Sequence, residues 1–224
     1  MKRKIFYTLL LPVAAFVSLN SCGGSKHEDP KEVANEINDK NLSKEAEKDA
    51  DRLVDIYSRN LYEIRASENA AMNAASADVT KLAGMIVSSH TRMNSELQSL
   101  VASKNIALPA DLTDDQRRDL DDLTKKSGLD YDKEYTKQMK DLHEKSIKTY
   151  EHLSDRSEDP AIKSWAASAL SELRSHAAMF EGELKLVKEE KKDERARKKE
   201  HNTWDGKSGL HDGRENVHDN AKKN

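Results

Sequence analysis

The chain has 224 residues and a net charge of −3; 35% of the residues are charged, 5% are aromatic, and only 8 are Gly and 4 are Pro. This composition is rich in helix formers and poor in strand and turn formers, so it excludes a large β-sheet and indicates one helical domain with extensions. The acidic balance also disfavours a nucleic-acid partner.

The first 22 residues have the order of a bacterial export signal. Basic residues at 2–4 precede an apolar stretch over 5–17, which is too short to span a bilayer comfortably as a mature helix. The stretch ends in Leu-Asn-Ser-Cys, which resembles the lipobox of lipoproteins, where cleavage precedes a lipidated cysteine. We predict a signal peptide at 1–21 and lipidation of Cys22, the chain's one cysteine. The alternative is an ordinary signal peptide followed by a free thiol.

Lipidation predicts an exported lipoprotein anchored to a membrane, most simply the outer membrane, without spanning it. The two or three acyl chains of a lipoprotein hold firmly, whereas one chain binds only marginally. Removal of three basic residues takes the net charge from −3 to −6. The partners we expect are the membrane itself and an envelope protein, and the sequence leaves the periplasmic or surface-facing side open.

Residues 22–42 are polar and weakly periodic, and we interpret them as a flexible tether. Helical periodicity then begins at Ser43, a predicted N-cap, and continues to about residue 74. A second apolar stripe runs from Val79 to Val101, with Asp78 as its expected cap. An irregular stretch follows at Pro109.

The second half of the chain repeats this pattern. The sequence Thr-Asp-Asp-Gln at 113–116 matches a capping box and predicts a short helix to about residue 126. Asp130 is the expected cap of a third long helix, and Asp159 with Pro160 predicts the start of a fourth. We therefore predict an all-α fold: an antiparallel four-helix bundle over 43–190 with a short extra helix, followed by a charged, disordered tail at 191–224.

Histidines interrupt three of the four apolar stripes, and their spacing predicts where they meet. Residues equidistant from the turn of an antiparallel hairpin lie side by side. His143 and His176 have their midpoint at the Asp159–Pro160 break, and Glu63 and His90 have theirs between residues 76 and 77. If the hairpins pack in register, these four side chains converge in one buried layer.

Such a layer has two interpretations. Imidazoles with a carboxylate suit Zn, Fe, Cu or Ni, so Glu63, His90, His143 and His176 could bind a transition metal. The alternative, which the sequence favours, is a cofactor-free structural network in which the Glu63 carboxylate accepts imidazole N–H groups and fixes the register of the bundle.

Several motifs resemble a bacterial family, the domain of unknown function 4142 family, whose members are described as outer membrane proteins with a ferritin-like fold. They are Glu63 placed 27 residues before His90, Met-Ile-Val-Ser-Ser-His at 85–90, Asn94, Tyr-x-x-x-Met-x-x-x-His at 135–143 and Leu-x-x-Leu-Arg-x-His at 170–176. The resemblance covers about residues 45–188. This chain departs from the family in Ser89, where Asp is usual, and lacks the usual Gly before Glu63.

The resemblance implies a ferritin-like helical domain without ferritin chemistry. Di-iron proteins of that superfamily use Glu-x-x-His on two helices, but Val87, Lys140 and Leu173 stand three residues before the three histidines. We therefore expect no enzyme activity. The leading hypothesis is a non-enzymatic, lipid-anchored envelope protein used for interaction or envelope maintenance. The alternative is a metal-binding or redox protein that uses the His/Glu layer.

Overall fold

The computed structural model describes residues 28–208, and this part of the chain is all-α, as predicted. Six helices follow one another without a strand in the described range: α1 Pro30–Asn41, α2 Lys44–Asn73, α3 Ala77–Ala102, α4 Asp114–Thr124, α5 Gly128–Arg156 and α6 Pro160–Ser208. The predicted signal peptide and Cys22 lie outside the described residues. Within the described residues, no helix combines the length and apolarity that a membrane span requires.

The four long helices form two hairpins that pack together. Three-residue connections join α2 to α3 and α5 to α6. The hairpins contact each other mainly through α2 against α5 and α3 against α6. A buried carboxylate adds a polar link between them, because Asp132 on α5 accepts the backbone N–H groups of Ala75 and Ser76 at 3.0 and 2.8 Å.

The predicted helix starts are partly confirmed. Ser43 caps α2, and Asp159 caps α6 by accepting the N–H groups of residues 161 and 162. Asp78 does not cap α3, because the Ser76 hydroxyl takes that role two residues earlier. Asp130 does not cap α5 either. That helix begins two residues before it at Gly128, whose φ of 58° is readily accessible to glycine.

The core consists of two apolar clusters with polar side chains between them. One cluster contains residues from Leu53 to Tyr57, Met93 to Ile106 and Tyr150 to Leu173. The other contains residues from Tyr62 to Ile86, Tyr131 to Met139 and Phe180 to Val187. The buried polar residues between them include the four of the predicted layer.

The predicted tether is wrong over residues 30–41, which form α1. Asp29 caps this helix by accepting the N–H of Lys31, and proline occupies its first position. Asn38 then holds α1 against the domain, since its side-chain amide exchanges two hydrogen bonds with the backbone of Ala107, at 3.1 and 2.7 Å. Asn38 is fully buried as a result.

The short helix α4 is confirmed, with both hydrogen bonds of its capping box present between Thr113 and Gln116. The Gln116 amide also donates to the backbone carbonyl and hydroxyl of Ser58 on α2, which docks α4 on the domain. The predicted disorder of the tail is wrong over 191–208, which continue α6. That segment is rich in Lys, Glu and Arg, which favour helix without needing an apolar face.

Candidate metal centre

The two hairpins place the four predicted side chains in one buried layer. Glu63 on α2 lies beside His90 on α3, and His143 on α5 lies beside His176 on α6. Glu63, His90 and His143 are fully buried, and His176 is 3% exposed. The short connections produce this arrangement because they keep residues equidistant from each turn at the same height.

Glu63 and His90 form the closest polar contact of the layer. The Oε2 atom of Glu63 is 2.9 Å from Nδ1 of His90 and 3.9 Å from Nε2 of His143. The first distance is that of a hydrogen bond, but the ring N–H does not point well at the oxygen, so both carboxylate oxygens lack an aligned donor. The two atoms are therefore in close polar contact without an aligned hydrogen bond, and the nearby carboxylate favours a proton on Nδ1 of His90.

His143 is held in a defined tautomer. Its Nδ1 atom lies 2.8 Å from the backbone carbonyl oxygen of Met139, so Nδ1 carries the proton and donates it. The lone pair of the neutral ring is then on Nε2. That atom faces Nε2 of His90 at a distance of 3.2 Å. Two imidazole nitrogens thus point at each other in the middle of the layer.

His176 completes the group of imidazoles. Its ring is 5.7 Å from the His90 ring and 5.4 Å from the His143 ring, between centroids. Its Nδ1 atom is buried without a hydrogen-bond partner. One nitrogen from each of the three histidines can be chosen so that all three lie within 4.8 Å of one another. The described residues thus contain three imidazole donors close enough to share one cation.

The electrostatics of the layer favour neutral rings at His143 and His176 and an ionised carboxylate at Glu63. Burial alone would raise the pKa of Glu63, but the neighbouring His143 and His90 outweigh it and lower that pKa below its ordinary value. Burial lowers the pKa of His143 against the opposing charge of Glu63, and the charge of His90 adds to the lowering. Burial, with the charges of His143 and His90, lowers the pKa of His176 to about 4. Neutral imidazole is the form that binds metal ions.

The walls of the layer are apolar on one side and amide-lined on the other. The Phe180 ring packs against the His143 ring at 5.3 Å. One turn away, Asn60 on α2 donates to Asn94 on α3 at 2.9 Å, and both are buried. The midpoint of this pair is residue 77, so the turn spacing that brings Glu63 to His90 also brings these two amides to the same height.

A carboxylate at the surface also lies next to the layer. Glu172 accepts a hydrogen bond from the Ser89 hydroxyl at 2.5 Å and forms an ion pair with Arg92, and its Oε1 atom lies 3.9 Å from Nε2 of His176. The spacing of Glu172 and His176 by four residues indicates that they share a face of α6. No sequence signal indicates the contact with Ser89, which depends on how α3 and α6 are rotated.

The arrangement can hold a divalent transition metal. In His90 and His143, Nδ1 lies close to an acceptor, a carboxylate or a backbone carbonyl, and the two Nε2 atoms face each other at the centre. Metal-ligating histidines commonly have such a partner on the other ring nitrogen, which orients the ring and raises its basicity. Three imidazoles and a carboxylate suit Zn, Cu, Fe or Ni. The predicted lipidation site, Cys22, lies outside the described residues and stays a prediction.

Comparison with known proteins identifies a family for the chain and no characterised relative. No curated protein and no solved structure matches it significantly. The sequence pattern that defines the domain of unknown function DUF4142 matches residues 34–182, which include all four residues of the layer. Because this match covers more than half of the chain, the protein belongs to the DUF4142 family.

Proposed function

We propose that this protein is a lipid-anchored envelope protein whose helical domain binds one divalent transition-metal ion through His90, His143 and His176. Glu63 supplies the balancing negative charge. The observation that carries the proposal is the pair of Nε2 atoms of His90 and His143, which face each other at 3.2 Å. A metal ion gives a physical reason for that contact.

The protonation of the two rings makes this contact unfavourable without a cation. Nδ1 of His143 donates to a backbone carbonyl, and Nδ1 of His90 faces a carboxylate oxygen. With both protons on Nδ1, both Nε2 atoms present lone pairs, and two opposed lone pairs repel in a site of low dielectric. Either a metal ion near both nitrogens or one additional proton removes the repulsion.

The distance between the two nitrogens agrees with a shared metal ion. Nitrogen ligands at typical zinc distances of about 2.0–2.1 Å and a tetrahedral angle lie about 3.3 Å apart. The observed separation is 3.2 Å. Unpaired polar atoms nearby also support a bound cation, because Nδ1 of His176 and both oxygens of Glu63 are buried without aligned partners. A buried polar atom left unpaired costs about 1–3 kcal/mol, which a bound cation would offset.

We propose binding without enzymatic turnover. The three imidazoles and Glu63 are almost fully enclosed, so a substrate larger than an ion has no path to them. None of the three layer histidines belongs to the Glu-x-x-His motif that supplies bridging carboxylates in di-iron proteins, since Val87, Lys140 and Leu173 stand three residues before them. The ring of contacts among α2, α3, α5 and α6 supports a ferritin-like, antiparallel four-helix bundle as the fold that holds the ion.

The anchor is proposed from the sequence alone, since Cys22 follows a lipobox-like Leu19-Asn20-Ser21. A Cys22→Ala variant should accumulate as the uncleaved precursor and should not incorporate radiolabelled palmitate. Normal cleavage together with unchanged detergent partitioning of this variant would contradict the lipid anchor. This experiment is independent of the metal, so either half of the proposal can fail alone.

The metal half is tested by elemental analysis. The mature protein, purified in detergent without a histidine tag, should contain about one transition-metal ion per chain, or should take up one Co²⁺ with visible d–d bands. A His90→Ala/His143→Ala variant should lose that ion. A His152→Ala variant is the matched control, because His152 also lies on α5 but is exposed. A folded wild-type protein that binds no Zn²⁺, Co²⁺, Cu²⁺, Ni²⁺ or Fe²⁺ would overturn this half.

The second candidate is a metal-free structural network in an interaction module of the envelope. It is favoured by the same contact, because a doubly protonated His90 would direct one N–H toward Glu63 and the other toward His143. In that case His90→Ala lowers the melting temperature, while added metal and chelator have no effect on the wild-type protein.

A further inference from the structure

A polar cluster at the surface lies next to the one layer residue that reaches solvent. Glu172 on α6 is in contact with Ser89 and Arg92 on α3 and sits one helical turn before His176. Its side chain is 36% exposed, while the His176 side chain is 4% exposed and those of His90 and His143 are fully buried. Exposure thus falls in one direction, from Glu172 through His176 to the centre of the layer.

The distances along this line suit the passage of a cation. The Oε1 atom of Glu172 is 3.9 Å from Nε2 of His176. Two ligands that each lie about 2.1 Å from a metal ion are separated by at most about 4.2 Å, so one ion can touch both with little movement. From His176 the other imidazoles are within reach, since one nitrogen from each of the three rings falls in a group no more than 4.8 Å across.

We infer that Glu172 is the outer cation ligand through which a divalent metal ion passes between solvent and the buried imidazoles, with Ser89 and Arg92 as its positioning residues. The inference rests on the proposed metal binding and adds the route. Glu172 would hold the ion only in transit, because it lies at the surface beyond His176. The final ligands are the buried residues of the layer.

Arg92 would control access of the cation to Glu172 on this route. Its guanidinium group pairs with Glu172 through Nη2 and with Glu96 through Nη1, the latter at 2.6 Å. An arriving cation must compete with this guanidinium for the Glu172 carboxylate. Arg92 can release Glu172 and keep Glu96, which lowers the cost of opening. Meanwhile the Ser89 hydroxyl keeps one oxygen of Glu172 directed toward α3.

The test compares metal exchange rates in the full mature protein, with Co²⁺ as the probe. Glu172→Gln removes the negative charge and keeps the size of the side chain. Stopped-flow absorbance should show Co²⁺ uptake, and release to a chelator, each slowed on the order of tenfold, at the low end of what focused charge contributes to association rates. The dissociation constant and the stoichiometry of one ion per chain should stay unchanged.

Two further variants separate a route from a merely structural role. Glu96→Gln is the matched control, because Glu96 pairs with the same arginine and its side chain is 45% exposed; it should leave both rates within error of wild type. Arg92→Gln should accelerate uptake, the opposite direction to Glu172→Gln. Loss of stability cannot readily produce opposite changes in variants that disrupt one ion pair.

The outcomes are distinguishable. If the wild-type protein binds no Co²⁺, the proposed metal binding fails and the route fails with it. If the wild-type protein binds Co²⁺ but Glu172→Gln exchanges it at the wild-type rate, the route is wrong and metal binding stands. A Glu172→Gln variant that loses affinity while its uptake rate is unchanged would make Glu172 a permanent ligand and would also overturn the inference.

Discussion

The carboxylate of Asp132, on α5, accepts the backbone N–H groups of Ala75 and Ser76 in the connection between α2 and α3. One buried side chain therefore ties the turn of the first hairpin to the first turns of the second. The height of His143 relative to His90 depends on how the hairpins are aligned, so this contact helps to set the geometry of the layer from one end of the domain.

Replacement of Asp132 tests this link. Asp132→Asn should lower the free energy of unfolding by about 2 kcal/mol, because the amide turns an NH₂ group toward one of two buried N–H donors. Urea denaturation measures the change. Asp130→Asn is the control on the same helix; its side chain is 67% exposed, so the loss should be about 1 kcal/mol or less. Equal losses in the two variants would contradict a special role for Asp132.

Metal binding should stabilise the folded protein. At a free Zn²⁺ concentration about 100 times the dissociation constant, linkage adds about 2.7 kcal/mol, or about 5–10 °C in melting temperature for a chain of this size. Differential scanning fluorimetry with Zn²⁺ and then with excess chelator should show a reversible shift. A His90→Ala/His176→Ala variant should show none, and a zinc shift retained in that variant would place the ion elsewhere.

Without metal, stability should fall as the pH decreases from about 6.5 to 4. The pKa of His176 is lowered from 6.5 to about 4, because of burial and then the charges of His143 and His90, so the unfolded chain takes up a proton before the folded one does. The contribution of His176 to the free energy of unfolding is fully present above pH 6.5. As the pH falls to 4, this contribution decreases by about 3 kcal/mol. The lowered pKa of His143 acts in the same direction.

A variant separates this effect from general acid sensitivity. In His176→Gln the slope of unfolding free energy against pH should become flatter between pH 6.5 and 4, whereas exposed His152→Gln should keep the wild-type slope. Denaturation curves at several pH values, in the presence of chelator, provide the measurement. An unchanged slope in His176→Gln would show that another group titrates.

Removing one amide of the Asn60–Asn94 pair should destabilise the fold more than replacing both amides with apolar side chains. Asn94→Leu leaves the buried amide of Asn60 without its 2.9 Å partner and should cost about 1–3 kcal/mol. The double variant Asn60→Leu/Asn94→Leu removes both polar groups and should lose less than the two single variants together. A double-mutant cycle measured by urea denaturation gives the coupling free energy between the two residues. Strictly additive losses of unfolding free energy would contradict this coupling.

Much of the helical framework and the convergence of the layer could be predicted from sequence, for a physical reason. The connections between α2 and α3 and between α5 and α6 have only three residues, so the height of each side chain follows from its distance to the turn. Glu63, His90, His143 and His176 could therefore be brought together by counting. The ligand of these four residues could not be predicted, because the orientation of each ring and the direction of each nitrogen depend on tertiary contacts.

The contacts that sequence reasoning missed are long-range or lack an apolar pattern. Helix α1 begins with Asp29-Pro30, the same signature that located α6 at Asp159-Pro160, but its attachment depends on Asn38 and the backbone of Ala107, 69 residues away. The second half of α6 lacks an apolar stripe, so disorder was predicted where helix propensity and charge pairs such as Glu194–Lys198 sustain a helix.

The length of α6 gives the molecule two unlike ends. Lys191 pairs with Asp130 at the first turn of α5, so residues 192–208 extend past that helix, by about 25 Å at 1.5 Å per residue. The opposite end carries the Asp159 turn, and Asp49 near the start of α2 contacts Ser157 there. Lys31 of α1 pairs with Asp55 in that same half, so α1 lies toward that end of the domain. Residues 192–202 are almost all exposed, so the molecule carries a solvated, charged rod at the end away from α1.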